Sequence, residues 1–208
     1  TCIVLDDGFQ HRHLHRDLDI VLIDSPTLEN ANLLPTGRLR EPLHSLSRAD
    51  VVCFMNGAKP HDTSHEVYHF LRTNTLLLTA EVRATNLTNT ITNETIPPNT
   101  RVCAVSGIAN PMRFHASLQE KSMEIASALV FSDHVRYSPR HVRQIVQTAR
   151  SQEINVIATT EKDLVKLRTF SDIFASAGLT LAVLPIQCTI EQGNNALCER
   201  IAALLSPR

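Results

Sequence analysis

The chain has 208 residues, of which 43% are hydrophobic and 20% are charged, a composition typical of soluble globular proteins and not of disordered ones. The formal net charge of −1 lacks the positive footprint of a nucleic-acid-binding protein, so we expect no nucleic-acid partner. The five cysteines are far apart and contain no Cys-x-x-Cys pair, which argues against a disulfide scaffold or a zinc ribbon.

The first 82 residues predict alternating strands and helices. Short apolar runs of the kind buried on both faces of a parallel sheet predict strands at 2–6, 18–24, 49–55 and 75–82. Between the second and third of these strands lies a long loop rich in Pro and Asn, with a short helix predicted near Leu43–Leu46. Residues 61–73 are predicted to be helical. We interpret 1–82 as one α/β lobe.

A change of composition separates this lobe from the rest of the chain. Residues 83–100 are almost uncharged, rich in Asn and Thr, and end in a Pro-Pro pair. Their polar alternation predicts a β hairpin or connecting arm, and the segment is the best candidate for a domain boundary. Residues 101–208 are interpreted as a second lobe.

The α/β alternation resumes after the arm. Apolar runs predict strands at 101–109, 154–160 and 179–186. Apolar residues that recur at helical spacing predict helices over 111–130 and 139–151, and a closing helix around Leu197–Leu205. The predicted fold class is α/β with a mostly parallel sheet.

Two aspartates follow the first predicted strand. Asp6 and Asp7 would then lie at the carboxyl end of a parallel strand, where α/β proteins bind ligands and where P-loop NTPases place a carboxylate for Mg²⁺. The alternative is an ordinary turn, because Asp and Gly stabilise turns. From these residues alone the two interpretations are about equally supported.

Three histidines at alternate positions, His11, His13 and His15, come next. In an extended segment this spacing would place three imidazoles on one side, an arrangement that suits zinc. Against this, the cationic Arg12 lies between the first two histidines and the cationic Arg16 follows the third. We expect solvated side chains at the second and third histidines, whereas the first is the better functional candidate because it lies closest to the aspartates.

Further polar groups lie in the loops that follow other predicted strands. The loop 33–50 carries Arg40 and Glu41, and arginine suits bidentate phosphate recognition. His134 follows an aspartate in a loop before a helix, where it could orient a carboxylate or act as an acid or base. Thr160 with Asp163 matches a helix capping box, which we favour over a catalytic role.

In combination, these stretches resemble one family, the tetraacyldisaccharide 4′-kinases, which are the lipid A 4′-kinases of Gram-negative bacteria. The motifs occur in the family's order and run as LDDGFQHRHLHRDLDIVLID, NLLPTGRLREPL, RADVV, VSGIANPMRF, FSDH and TTEKDLVKL. The resemblance implies a P-loop NTPase-like fold of two α/β lobes joined by a short β arm. It also implies transfer of the ATP γ-phosphoryl group to the 4′-hydroxyl of a tetraacyl glucosamine disaccharide 1-phosphate. The implied location is the cytoplasmic face of the inner membrane, with peripheral membrane contact.

The resemblance assigns roles to individual positions. Magnesium binding is implied for Asp6 and Asp7, and a nucleotide contact for Gln10. The implied catalytic group consists of Asp7, His11, Arg40, Glu41 and His134, the last of which supports the family's catalytic aspartate. Val135 stands where the family commonly has a second histidine, which leaves a role for that second position in doubt.

The family's phosphate-binding loop has no counterpart among these 208 residues, since no Gly-x-x-x-x-Gly-Lys-[Ser/Thr] occurs. In the family that loop, the catalytic aspartate and a hydrophobic N-terminal helix all precede the Asp-Asp strand. We therefore expect an N-terminally truncated form.

Two alternatives from other classes remain open. One is a metal-dependent hydrolase that uses Asp6, Asp7, His11 and His13. The other is a non-catalytic α/β ligand-binding module.

Overall fold

The computed structural model describes residues 2–58 and 65–206. The chain forms two compact units, the first built from residues 1–82 with 188–208 and the second from residues 83–187. The fold class is α/β, as predicted.

The first unit contains a four-stranded sheet. Its strands are β1 (Ile20–Ile23), β2 (Val51–Met55), β3 (Leu76–Ala84) and β9 (Ile186–Gln192). They lie in the order β1-β2-β3-β9, and β1, β2 and β3 pair in parallel. The helical segments are α1 (Ser25–Glu29), a 3-10 helix at Leu43–Arg48, α2 (Glu66–His69) and α7 (Asn194–Leu205).

Helices cover both faces of this sheet, and the side chains of β2 point alternately toward one face and the other. Val52 and Phe54 belong to a core cluster that includes Leu46 and Val67, whereas Val51 and Cys53 pack in a cluster with Leu197 of α7. A parallel sheet buried on both faces requires nearly continuous apolar strands, and β2 fulfils this with four consecutive buried residues.

The second unit contains a five-stranded sheet. Its strands are β4 (Thr88–Asn89), β5 (Arg101–Ser106), β6 (Glu124–Val130), β7 (Val156–Thr160) and β8 (Thr180–Leu184). They lie in the order β4-β8-β7-β5-β6, and the pairs are parallel except that of β4 with β8. The helices are α3 (Pro111–Glu120), α4 (Pro139–Ser151), α5 (Glu161–Leu167), a 3-10 turn at Arg168–Phe170 and α6 (Ser171–Ser176).

The prediction of a strand over residues 2–6 was wrong. These residues form no ladder with any strand in the described part of the chain. Ile3 and Val4 are 81% and 88% exposed, and no described strand pairs with this segment. An apolar run becomes a strand only where a neighbour accepts its backbone hydrogen bonds.

The helix predicted over 111–130 ends ten residues early. α3 stops at Glu120, Ser122 takes a left-handed φ of 58°, and the chain then returns as β6 alongside β5. Ile125 and Leu129, whose spacing was interpreted as helical, pack against different core clusters. Of the helix predicted at 61–73, the part up to residue 64 lies outside the described residues.

The lobe boundaries also differ from the predicted ones. The predicted arm 83–100 groups with the second unit, where β4 pairs with β8. Residues 188–208, predicted to belong to the C-terminal lobe, group with the first unit, because β9 lies beside β3 and α7 packs on β2. The chain passes from one unit to the other within β3 and again within β9.

Candidate functional site

The two aspartates lie in a turn. Asp7 has a left-handed φ of 56°, a conformation that Asp tolerates better than most side chains. The His11 backbone N–H donates to the carbonyl of Gly8 at 3.0 Å, and the Leu14 N–H donates to the carbonyl of His11 at 3.2 Å. This segment is therefore a series of turns, and the extended zinc-type geometry of alternate histidines is absent from it.

An ion pair joins this turn to the arginine loop. The Arg40 guanidinium donates to the Asp7 carboxylate, and both side chains are more than half exposed. The pair brings together two residues that are 33 positions apart. It places a guanidinium and a carboxylate side by side at the surface of the first unit.

Glu41, the next residue in the loop, lies between two arginines. Arg48 donates to its carboxylate at 2.5 Å and Arg12 at 3.4 Å. The hydrogen bond from Arg48 is the main reason that the pKa of Glu41 is lowered; desolvation opposes the shift, and Arg12 adds to it. Glu41 is thus held ionised in a fixed position.

Arg48 is a site residue that the sequence patterns did not reveal. Its guanidinium lies 4.4 Å from the centroid of the Phe9 ring, within the range of a cation–π contact, and it bonds Glu41 from the same position. It therefore ties the turn of residues 6–11 to the loop of residues 38–41. The aromatic residue after Asp-Asp-Gly was the signal that could have pointed to a cationic partner.

These elements enclose a pocket of about 290 Å³. Four of the predicted site residues line it, namely Asp7, Gln10, Arg40 and Glu41. Apolar side chains of β1 form another part of its wall. Asp6 and His11 are exposed in the same turn and are not among the residues that line the pocket. Guanidinium groups next to carboxylates suit an anionic ligand that carries a hard cation.

His134 belongs to the second unit. It is 75% exposed and has a left-handed φ of 59°, and its backbone N–H donates to the Asp133 carboxylate at 2.9 Å. Lys162 contacts the same carboxylate at 3.4 Å. Although desolvation acts in the opposite direction, the charges of His134 and Lys162 hold the pKa of Asp133 below its ordinary value.

Thr160 is the N-cap of α5, as predicted. Its Oγ1 accepts from the backbone N–H of Asp163 at 3.1 Å. Asp163 is fully buried, which a solvent-facing helix cap does not require.

No cluster of three or more potential ligands from His, Cys, Asp and Glu occurs among residues 2–58 and 65–206. Asp6, Asp7, His11 and His13 therefore do not form the compact site that the hydrolase alternative requires. The two aspartates nevertheless fit magnesium, which prefers carboxylate oxygens and retains several waters. Within the described chain, no helix combines the length and apolar character needed to cross a membrane.

A model of one protein family matches residues 1–206; that family is LpxK, tetraacyldisaccharide-1-P 4′-kinase. The chain belongs to this family. The resemblance inferred from the motifs is thereby confirmed, and the hydrolase alternative is not favoured.

Individual members show the same relationship. The tetraacyldisaccharide 4′-kinase of Halothermothrix orenii is 33% identical over 213 residues, which cover 91% of this chain and 54% of the relative. That of Geobacter metallireducens is 37% identical over 167 residues, covering 79% and 48%. The chain thus spans about half the length of the relatives that it matches.

A solved structure has the same fold. The crystal structure of the "apo" form of LpxK from Aquifex aeolicus in complex with ATP matches with a TM-score of 0.65 and 26% identity. The match covers 96% of this chain and 56% of the crystallised one. The P-loop kinase-like class predicted from the sequence agrees with this neighbour.

Proposed function

We propose that this chain is part of an ATP-dependent kinase that phosphorylates the 4′-hydroxyl of a tetraacyl glucosamine disaccharide 1-phosphate, a step of lipid A biosynthesis. The observation that carries the proposal is the family match over residues 1–206. The ATP bound in the Aquifex aeolicus relative supports the choice of phosphoryl donor. We assign the first unit to the nucleotide-binding lobe and the second to the C-terminal lobe.

The pocket of the first unit is proposed to hold the phosphate end of the nucleotide. Arg40 would engage phosphoryl oxygens with its planar fork of N–H donors, and Gln10 would donate or accept hydrogen bonds beside it. Arg40 already binds a carboxylate, Asp7, so a phosphate would compete for the same N–H groups. Glu41, fixed by Arg48, limits how far the loop moves during that exchange.

Asp6 and Asp7 are proposed to hold Mg²⁺ with the nucleotide phosphates. When bound, the ion would supply positive charge that stabilises the transferring phosphoryl group. Both carboxylates are exposed, so they are accessible to a hydrated cation. His11 is proposed as a polar contact to the reacting groups from the same turn.

His134 is proposed to support the family's catalytic aspartate, the base that accepts the proton of the attacking hydroxyl. Its imidazole is exposed and available to a second carboxylate. An imidazole beside a carboxylate can orient it and tune its proton affinity. The acyl chains of the substrate lie in a membrane, so we also propose peripheral contact with the cytoplasmic face of the inner membrane.

The proposal is tested with the full-length gene product, γ-labelled ATP and MgCl₂. Two acceptors are compared, the tetraacyl disaccharide 1-phosphate and an analogue that lacks only the 4′-hydroxyl. We expect label on the first acceptor and none on the second. Label on neither acceptor would favour the non-catalytic module, and metal-dependent hydrolysis without transfer would favour the hydrolase.

A further inference from the structure

Asp163 is a buried carboxylate to which the proposed reaction assigns no role. It lies in the first turn of α5 and is 0% exposed. Its Oδ2 accepts from the Gly107 backbone N–H at 2.8 Å and from Thr160 Oγ1 at 2.9 Å. A buried carboxylate is tolerated only where donors compensate for lost hydration. The carboxylate therefore binds the end of β5 to the start of α5.

Gly107 is packed directly against the loop that carries His134. A Cβ at this position would lie 2.4 Å from Val135 Cγ1 and 3.2 Å from the carbonyl oxygen of Ser132. It would also lie 3.2 Å from Asp163 Oδ1. No side chain fits between the backbone of Gly107 and this loop, so any movement of Gly107 is transmitted to it.

One end of the loop is hydrogen-bonded to β5, and the other end closes a turn within the loop. The Phe131 N–H donates to the carbonyl of Ser106 at 2.8 Å, and the Val135 N–H donates to that of Ser132 at 3.1 Å. Val135 is 8% exposed and belongs to the core beneath α4. Between the bond from Phe131 to β5 and the buried Val135 side chain, His134 takes a left-handed φ of 59°.

The other oxygen of the carboxylate, Oδ1, is buried and accepts no hydrogen bond within the described residues. Lys166 Nζ lies 3.9 Å from Asp163 Oδ1. Burial, and then the nearby Asp163 charge, raise the pKa of Tyr137, two residues beyond Val135. Lys162, the residue before Asp163, contacts Asp133 at 3.4 Å. The first turn of α5 thus contacts the His134 loop at its surface and supports it from the core.

We propose that Asp163 is a positioning residue which, through Gly107, holds the loop of residues 132–135 and so determines where His134 lies. The functional consequence depends on the role of His134 in the proposed kinase reaction. The structural part, the coupling of Asp163 to His134 by way of Gly107, does not depend on that role.

Two pairs of variants test the proposal. Asp163→Ala removes the acceptor for the Gly107 N–H, whereas Asp163→Asn keeps an oxygen there and is the conservative rescue. Gly107→Ala introduces the steric conflict with Val135. Its matched control is Gly178→Ala in the same unit, where φ is +73° and no atom lies within 4 Å of an added Cβ.

The first readout is the NMR spectrum of the 208-residue chain, followed at the imidazole resonances and backbone amide of His134. We expect both to shift in Asp163→Ala and Gly107→Ala. We expect them to remain near their wild-type positions in Asp163→Asn and Gly178→Ala. Gly178→Ala is a strict control because alanine is itself strained at a positive φ. A shift caused by a general loss of stability would therefore also occur in Gly178→Ala, whereas a shift caused by displacement of the loop would not.

The second readout is the kinetics of the full-length gene product. Because a displacement of about 1 Å can cost about 100-fold in rate, we expect kcat to fall about 10- to 100-fold in Asp163→Ala. The KM for ATP should stay within about twofold of wild type, since Asp163→Ala should leave unchanged the contacts that bind ATP before the reaction. Asp163→Asn should recover most of kcat.

The outcomes separate the two proposals. Unshifted His134 resonances in folded Gly107→Ala and Asp163→Ala would overturn the positioning role, even in an active kinase. If Asp163→Ala does not fold, unshifted resonances in Gly107→Ala alone overturn it. If the wild-type full-length protein is inactive and the His134 resonances still shift in Asp163→Ala and Gly107→Ala, the proposed function is overturned and the positioning role stands.

Discussion

Replacement of Arg48 by methionine tests whether this arginine holds the two halves of the candidate site together. Arg48 bonds Glu41 at 2.5 Å and lies over the Phe9 ring. Methionine keeps most of the length and apolar stem of the side chain and removes the charge. The matched control is Arg143→Met, on the exposed face of α4.

The magnitude follows from the burial of the pair. The Arg48 and Glu41 side chains are 27% and 17% exposed, so the pair lies between surface pairs worth about 0–1 kcal/mol and charged hydrogen bonds worth about 1.5–3 kcal/mol. The cation–π contact adds about 0.5–1 kcal/mol. We expect the free energy of unfolding at pH 7 to fall by about 2 kcal/mol, against about 0.5 kcal/mol or less for the control.

The pH dependence has a definite sign. Because Arg48 lowers the folded-state pKa of Glu41, the stability from this pair is fully present above the unfolded-state pKa, about 4.3. It is lost as the pH falls through the folded-state pKa. The difference between wild type and Arg48→Met should therefore be largest at neutral pH and should shrink below about pH 4, leaving the cation–π part.

Urea unfolding of the 208-residue chain at several pH values measures this difference directly. An NMR titration of Glu41 should show its pKa move back toward the ordinary range in Arg48→Met. A pH-independent difference, or a loss no larger than that of the control, would show that Arg48 does not stabilise the site through Glu41.

Three further predictions concern the second unit. Lys162→Met should raise the pKa of Asp133, measured by NMR titration, because it removes one of the charges that lower it. Leu118→Ala, at a position with 0% exposure, should lower the free energy of unfolding by about 2–5 kcal/mol in urea, whereas Met112→Ala on the exposed side of the same helix should change it little; equal effects would contradict the described core. His134→Ala in the full-length protein should lower kcat with little change in the KM for ATP, and a defect confined to ATP binding would remove His134 from the catalytic group.

Several elements could be predicted from sequence because local and tertiary preferences agree. Residues 139–151 combine Pro139 in the first turn with an apolar stripe, and the structure has this helix with the same bounds. The sequence of the run 124–130 predicts helix because a spacing of four is compatible with a helix face. In the structure, pairing with β5 decides its conformation. β9 escaped prediction although Ile186, Cys188 and Ile190 alternate with polar residues, a pattern typical of a strand.

The candidate site divides in a similar way. That the Asp-Asp segment and the arginine loop lie close together could be predicted, and the Asp7–Arg40 pair does join them, although no strand precedes Asp7 among the described residues. The partners of these residues could not be predicted. Asp163 matches a capping acid in sequence, yet its carboxylate reaches Gly107, 56 positions away. Such long-range contacts depend on the order of strands in the sheet, which no local pattern encodes.

Asp7 offers the most direct test of the account. Asn tolerates the left-handed φ of this position as Asp does, so Asp7→Asn removes charge and retains the backbone. The matched control is Asp17→Asn, an exposed aspartate beyond the same series of turns. In the full-length gene product with saturating MgCl₂ and ATP, we expect phosphoryl transfer to fall by about 100-fold or more in Asp7→Asn and to stay near wild type in Asp17→Asn. Unchanged transfer by a folded Asp7→Asn protein would contradict the assignment of this turn to phosphoryl transfer.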